Sequence, residues 1–245
     1  MAAERGGADR VEVCRALEVG GLSPGDELLR EVRRRVGIGV MAMIRPRAGN
    51  FCYAEGELAQ MREEIARARK LGADGVVLGV LGAQGRVDVG QTRSLVDAAC
   101  GMEVTFHRAL DETADPVAAL DAVMETGARR VLTSGGADKV TEALGVVARM
   151  VARAGSEMSV MAGSGVRPET IAAIARVTGV REFHASLRPG KGSGHSVGNG
   201  FVVSEEDVRA LRSAVGTGCP GGRATRRSGR MAGGGKTDAR TYEGS

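Results

Sequence analysis

His107 and Arg108 stand side by side at the end of an apolar run, in VTFHRALDE, within a chain that has only three histidines. An imidazole exchanges protons near neutral pH, and a guanidinium fixes an anion. Together they suit general acid–base work on a small substrate carrying phosphate or carboxylate. Similar residue types recur in other short runs. Glu12 and Cys14 lie in VEVC, Arg45 and Arg47 in VMAMIRPR, Ser134 in VLTSG, and His184 and Ser186 in FHAS. In MAGSGVRPET the small residues Gly163, Ser164 and Gly165 lead into a candidate helix, whose N-terminus presents backbone N–H groups to an anion. The turn TSGGAD, one segment earlier, could share that anion.

A repeat brings these scattered residues into one frame. Gly7, Gly37, Gly72, Gly101, Gly127, Gly155 and Gly179 recur at spacings of 30, 35, 29, 26, 28 and 24. Each follows a helix-like stretch, where glycine supplies the left-handed cap, and precedes a strand-like run. Between them, Gly56–Leu71 sets Leu58, Met61, Ile65, Ala68 and Leu71 three and four apart, the helical period. Pro116–Thr126 follows Asp115 as a cap, and Pro168–Thr178 follows Arg167 in the same way. Such alternation implies parallel strands with helices outside.

Two architectures accommodate seven units. A doubly wound open sheet would carry a glycine-rich turn after its first strand. A closed TIM-type (β/α)8 barrel runs to about 250 residues, and it fits here with its first strand missing from the chain. Residues 1–214 are then the barrel domain, and the Gly/Arg-rich residues 215–245 a disordered tail.

Strand parity sorts the candidates. Val11, Val13, Ala42, Ile44, Val104, Phe106 and Phe183 face the helices, which turns Glu12, Cys14, Arg45, Thr105, His107, Ser134, His184 and Ser186 inward at the C-terminal end, where barrel sites form. Arg47 and Arg108 sit just beyond. On this reading His107 and Glu12 do the chemistry, and the arginines, Ser134, His184, Ser186 and the GSG turn hold the anion. The structural alternative is an ion-pair ring of Glu12, Arg45 and Arg108, with His107 a core histidine bonded to Glu12. His195 falls in the loop PGKGSGHSVGNG, away from these ends. For a metal, Cys14 is the inward thiol, and Cys52 on the next loop could approach it; soft thiolates favour Cu(I).

The bulk numbers exclude other classes. From Val215 onward, six Arg or Lys against two acids account for the whole net charge of +4, leaving a neutral body. That argues against a phosphate-tracking nucleic-acid surface. No apolar run reaches the ~20 residues of a membrane span. Four scattered cysteines without a CxxC read as free thiols in a reduced cytoplasmic protein.

Taken in order, GADRVEVC, EVGGLSPG, MIRPRAGNFCYAEGE, VTFHRALDE, RVLTSGG, MAGSGV and EFHASLR closely resemble the CutC family of copper homeostasis proteins, over about three-quarters of the chain. The resemblance implies a cytoplasmic TIM-type barrel, often a dimer or higher oligomer, that binds or handles copper. Of the family's cysteine ligands near the mouth, one carries over onto Cys14. Family members begin with a further strand that bears its own cysteine. The partner thiol is therefore absent unless Cys52 replaces it, and two strand edges should be left open. Against copper stand the strand ends themselves, rich in Arg, His, Glu and Gly. They favour the alternative of an enzyme acting on a small phosphate- or carboxylate-bearing substrate.

Overall fold

The computed structural model describes residues 1–186 and 203–216. His195, Cys219 and all but the first two residues of the expected tail lie outside them. Helices and strands alternate as the glycine period requires: α1 (Ala2–Arg5), β1 (Arg10–Val13), α2 (Asp26–Arg35), β2 (Gly39–Met43), α3 (Glu55–Lys70), β3 (Gly75–Leu78), α4 (Val89–Ala98), β4 (Glu103–Phe106), α5 (Pro116–Glu125), β5 (Arg130–Thr133), α6 (Leu144–Ala154), β6 (Ser159–Ala162), α7 (Pro168–Thr178), β7 (Glu182–Phe183) and α8 (Glu205–Gly216). Asp115 caps α5 by accepting from the Val117 and Ala118 N–H groups, with Pro116 in the first turn. The repeating glycines have positive φ except Gly37, because α2 ends instead on Val36 in extended geometry.

Among the described residues, seven parallel strands pair in chain order, β1 through β7. The sheet curls into a TIM-type barrel one strand short of eight, with helices outside. β1 and β7 are its edges. Beside them α8 packs on α1 so closely that a Cβ on Gly6 would lie 2.5 Å from Val208 Cβ. Ion pairs from Arg5 to Glu205 and from Arg212 to Asp9 tie the same corner.

One parity of each strand faces the helices and makes the main core. Val13, Ala42, Ile44, Val104 and Phe106 are buried there against Leu58, Met61, Ile65 and Leu120. The other parity faces the lumen, where Met41, Met43 and Val77 form a small separate cluster with Cys14 packed against it.

Below that cluster, the first residues of five strands close the N-terminal end with charge. Arg10 and Arg130 both pair with Glu182, Arg130 also reaches Glu103 at 3.2 Å, and Ser159 donates to Glu182. Burial alone would push the Glu182 carboxyl up. The Ser159 and Arg130 hydrogen bonds and the two guanidinium charges outweigh it, and hold Glu182 below the usual carboxylate range. An ion-pair plug does exist, but it sits at the opposite end from the expected ring and uses none of Glu12, Arg45 or Arg108.

Candidate active site

At the C-terminal end of the strands, Glu12 and His184 face each other from the two edges of the barrel. His184 Nδ1 lies 3.8 Å from Glu12 Oε2, with the imidazole partly exposed. The Glu12 partner expected from the sequence was His107. The structure corrects that pairing, because His107 ends β4, farther round the barrel, and takes a different neighbourhood.

His107 is buried, with its ring 4.7 Å from the Phe51 ring centroid. Nδ1 accepts the Ala109 N–H at 3.3 Å, which puts the ring proton on Nε2. Nε2 has no partner. A Cβ on Gly79 would come within 2.7 Å of the same ring, so glycine is what lets β3 pass the imidazole. Burial, and then the nearby Arg45 charge, push the His107 pKa down to about 3. The side chain is therefore a neutral hydrogen-bond donor at physiological pH rather than the proton shuttle its sequence position suggested.

Arg45 is buried with its guanidinium over Phe51, 4.7 Å from the ring centroid. Nη1 donates to the Val19 and Gly21 carbonyls and Nη2 to Gly49, and the guanidinium also lies close enough to hydrogen-bond the Tyr53 hydroxyl. Tyr53, which sequence reasoning did not single out, brings a buried hydroxyl close beside the Arg45 guanidinium. Burial is the main cause of its pKa being raised to about 12, opposed by Arg45 and Arg47. Arg47 itself is committed elsewhere. It donates to Glu57 and to the Asn50 and Cys52 carbonyls, pinning the loop onto the start of α3.

The TSGGAD turn holds an anion of the protein's own. Asp111, on the 3-10 turn Arg108–Glu112, accepts from Ser134 N and Oγ, Gly136 N and Arg108 Nε. Thr133 Oγ1 donates to the same carboxylate. Arg108 Nη2 meets Ser134 Oγ at 2.8 Å. The Ser134, Gly135 and Gly136 N–H groups of the turn are thereby taken up within the protein, and Ser134 is a buried link in this network. Nothing in the sequence pattern marks Asp111 apart from its place four residues after His107.

The GSG turn differs. The Gly163 N–H continues the ladder to Thr133 O, so it is not a ligand donor. Ser164 and Gly165 then adopt left-handed conformations, φ 68° and 75°. For a serine that geometry costs on the order of 1–2 kcal/mol. Among the described residues, no acceptor meets the N–H groups of Ser164, Gly165 or Val166. These N–H groups stand just before the N-terminus of α7, where an anion is favoured. Ser186, exposed beyond β7, belongs to none of these clusters.

Cys14 and Cys52 do not come together. Cys14 lies against the lumen methionines, whereas Cys52 packs on the outer core and donates to the Gly82 carbonyl. Among the described residues, no group of three or more His, Cys, Asp or Glu side chains is placed to hold a metal ion. No described helix is long and apolar enough to cross a membrane.

The CutC family model matches residues 1–189. A "family protein CutC" from Xanthomonas campestris pv. campestris strain B100 is 44% identical over 188 residues, covering 77% of this chain and 78% of that protein. A solved CutC structure from Streptococcus agalactiae, named for copper homeostasis, is 34% identical with a TM-score of 0.69, over 72% of this chain and 88% of that one. N-(5'-phosphoribosyl)anthranilate isomerase from Pyrococcus furiosus reaches a TM-score of 0.58 at 13% identity, over 88% of this chain and 93% of that one, a likeness of fold alone.

Proposed function

The chain belongs to the CutC family, and on that premise we propose that it is a TIM-barrel enzyme acting on a small substrate that bears phosphate or carboxylate. One observation carries the reading. The Glu12–His184 pair and the N–H groups after Gly163, which meet no acceptor among the described residues, lie at the same end of the strands, the end where barrel enzymes keep their chemistry. In this mechanism the GSG turn holds the anionic group, and partly exposed His184 transfers a proton. Glu12 orients the imidazole and stabilises it while it carries the extra proton. Arg108, held by Asp111 and Ser134, adds positive charge at the rim. The protein is taken as cytoplasmic and homo-oligomeric, with a small-molecule ligand and no nucleic acid, in line with the neutral body and the family resemblance.

Copper handling is the second reading, with the ion as cargo. It is favoured by the lumen placement of Cys14 against Met41 and Met43, since thiol and thioether sulfurs suit Cu(I). It draws nothing from Cys52.

A thermal-shift panel of phosphate esters and hydroxy acids on the full chain separates the two. At least one compound should raise Tm, and Glu12→Gln should keep that rise while losing turnover of the same compound. No rise with any compound, alongside stoichiometric Cu(I) binding that Cys14→Ser removes, would overturn the enzyme reading.

A further inference from the structure

The Asp111 side chain is only 5% exposed. Thr133 Oγ1, Ser134 N and Oγ, Gly136 N and Arg108 Nε all donate to its carboxylate, and the first four come from the end of β5 and its turn. Those four fix the carboxylate without help from Arg108. Arg108 is what the carboxylate then fixes. Its Nε goes to Asp111, while Nη2 reaches Ser134 Oγ and the Ala137 carbonyl. Nε and Nη2 are thereby spent within the protein, and the plane of the guanidinium is set. Nη1 meets no acceptor among the described residues, on a side chain that is 41% exposed.

The same loop ties this guanidinium to the GSG turn. Arg108 holds the Ala137 carbonyl, Ser164 Oγ donates to the Asp138 carbonyl, and the Val140 N–H returns to Ser164 O. Ala137 and Asp138 are neighbours in the chain, about 3.8 Å apart at Cα. Arg108 and the turn are therefore anchored on one short stretch after β5.

We propose that Asp111 is a positioning residue, whose carboxylate holds Arg108 so that Nη1 meets the same anionic group as the GSG turn. The inference rests on the proposed enzyme reading and deepens it, by assigning that site its side-chain cation and the group that aims it. A long side chain ordered before the ligand arrives loses no further freedom on binding, which is what Asp111 supplies.

The test follows inorganic phosphate binding to the full 15N-labelled chain, through the Gly165 amide and the Arg108 Nε–Hε resonance. Before phosphate is added, Arg108 Nε should be as rigid as the backbone, with an order parameter of about 0.85. A mobile Nε overturns the positioning role without any variant having to fold. Arg108→Gln should weaken phosphate binding roughly tenfold, the loss of one charged hydrogen bond. Asp111→Asn should weaken it several-fold, and the double variant no further than Arg108→Gln alone, because one residue acts through the other. A merely structural Asp111 would give losses that add, or none, and either result overturns the proposal. So does an Arg108→Lys protein that binds as tightly as the parent, since a point charge needs no aiming. If phosphate moves the Gly165 amide but Arg108→Gln binds it unchanged, the inference fails and the enzyme reading stands. If neither resonance moves, both fail.

Discussion

Glu12 on β1 and His184 just after β7, at the two edges of the barrel, meet through their side chains, with Nδ1 and Oε2 3.8 Å apart. The distance is long for a hydrogen bond, and the imidazole is part-exposed, so the contact adds little to stability. Glu12→Gln and His184→Gln should each cost less than about 1 kcal/mol in urea unfolding. A loss of several kcal/mol would make the pair a structural clamp and remove its assignment to chemistry.

The opposite end of the barrel should behave in the reverse way. Arg130 is buried and satisfies Glu182, Glu103 and Thr105 at once. Arg130→Met leaves Glu182 part-buried with fewer partners, and should destabilise by about 3–5 kcal/mol, read from chemical denaturation. Glu182→Gln should flatten the acid limb. The Glu182 carboxyl is lower in the folded chain than in the unfolded one, so its contribution is complete above the usual carboxylate pKa and is lost as pH falls through the folded value.

His107 sets a second, higher window. Its folded pKa of about 3 lies below the ordinary value near 6.5. Between those values the unfolded chain binds the extra proton, so the stability from neutral His107 is complete above pH ~6.5 and declines as pH falls toward 3. Urea midpoints taken from pH 7 to pH 5 lie above the carboxylate window and should fall with acidity. His107→Gln should reduce that slope. An equal slope in the variant would mean that His107 is not held neutral by burial.

Tyr53→Phe is expected to change the stability of the ligand-free protein by no more than about 1 kcal/mol, since the buried hydroxyl it removes has only the nearby Arg45 guanidinium as a hydrogen-bonding neighbour among the described residues. Differential scanning calorimetry measures this directly. A clear destabilisation would show that the hydroxyl is satisfied in solution.

The fold was legible because its signals are local. The glycine period, the Asp115–Pro116 helix start and the alternation that sends Val104 and Phe106 to the helices each depend on a few adjacent residues. Parity also assigned Glu12, His107 and His184 to one side of the strands. What it could not fix was depth and partner. His107 and His184 share a parity, yet one is buried under Phe51 and the other opens onto Glu12. Asp111 went unnoticed because its partners Ser134 and Gly136 lie more than twenty residues away. Arg10, Glu103, Arg130 and Glu182 read as ordinary charged residues at strand starts, and only the closing of the sheet makes them a cluster.

The most direct test of an anion site at the mouth is a 15N–1H backbone spectrum of the full chain during titration with inorganic phosphate. The expected result is saturable movement of the Ser164, Gly165 and Val166 amides, whose N–H groups have no acceptor among the described residues. Amides that stay still throughout, in a protein that instead binds one Cu(I) through Cys14, would contradict the enzyme reading and leave copper handling in its place.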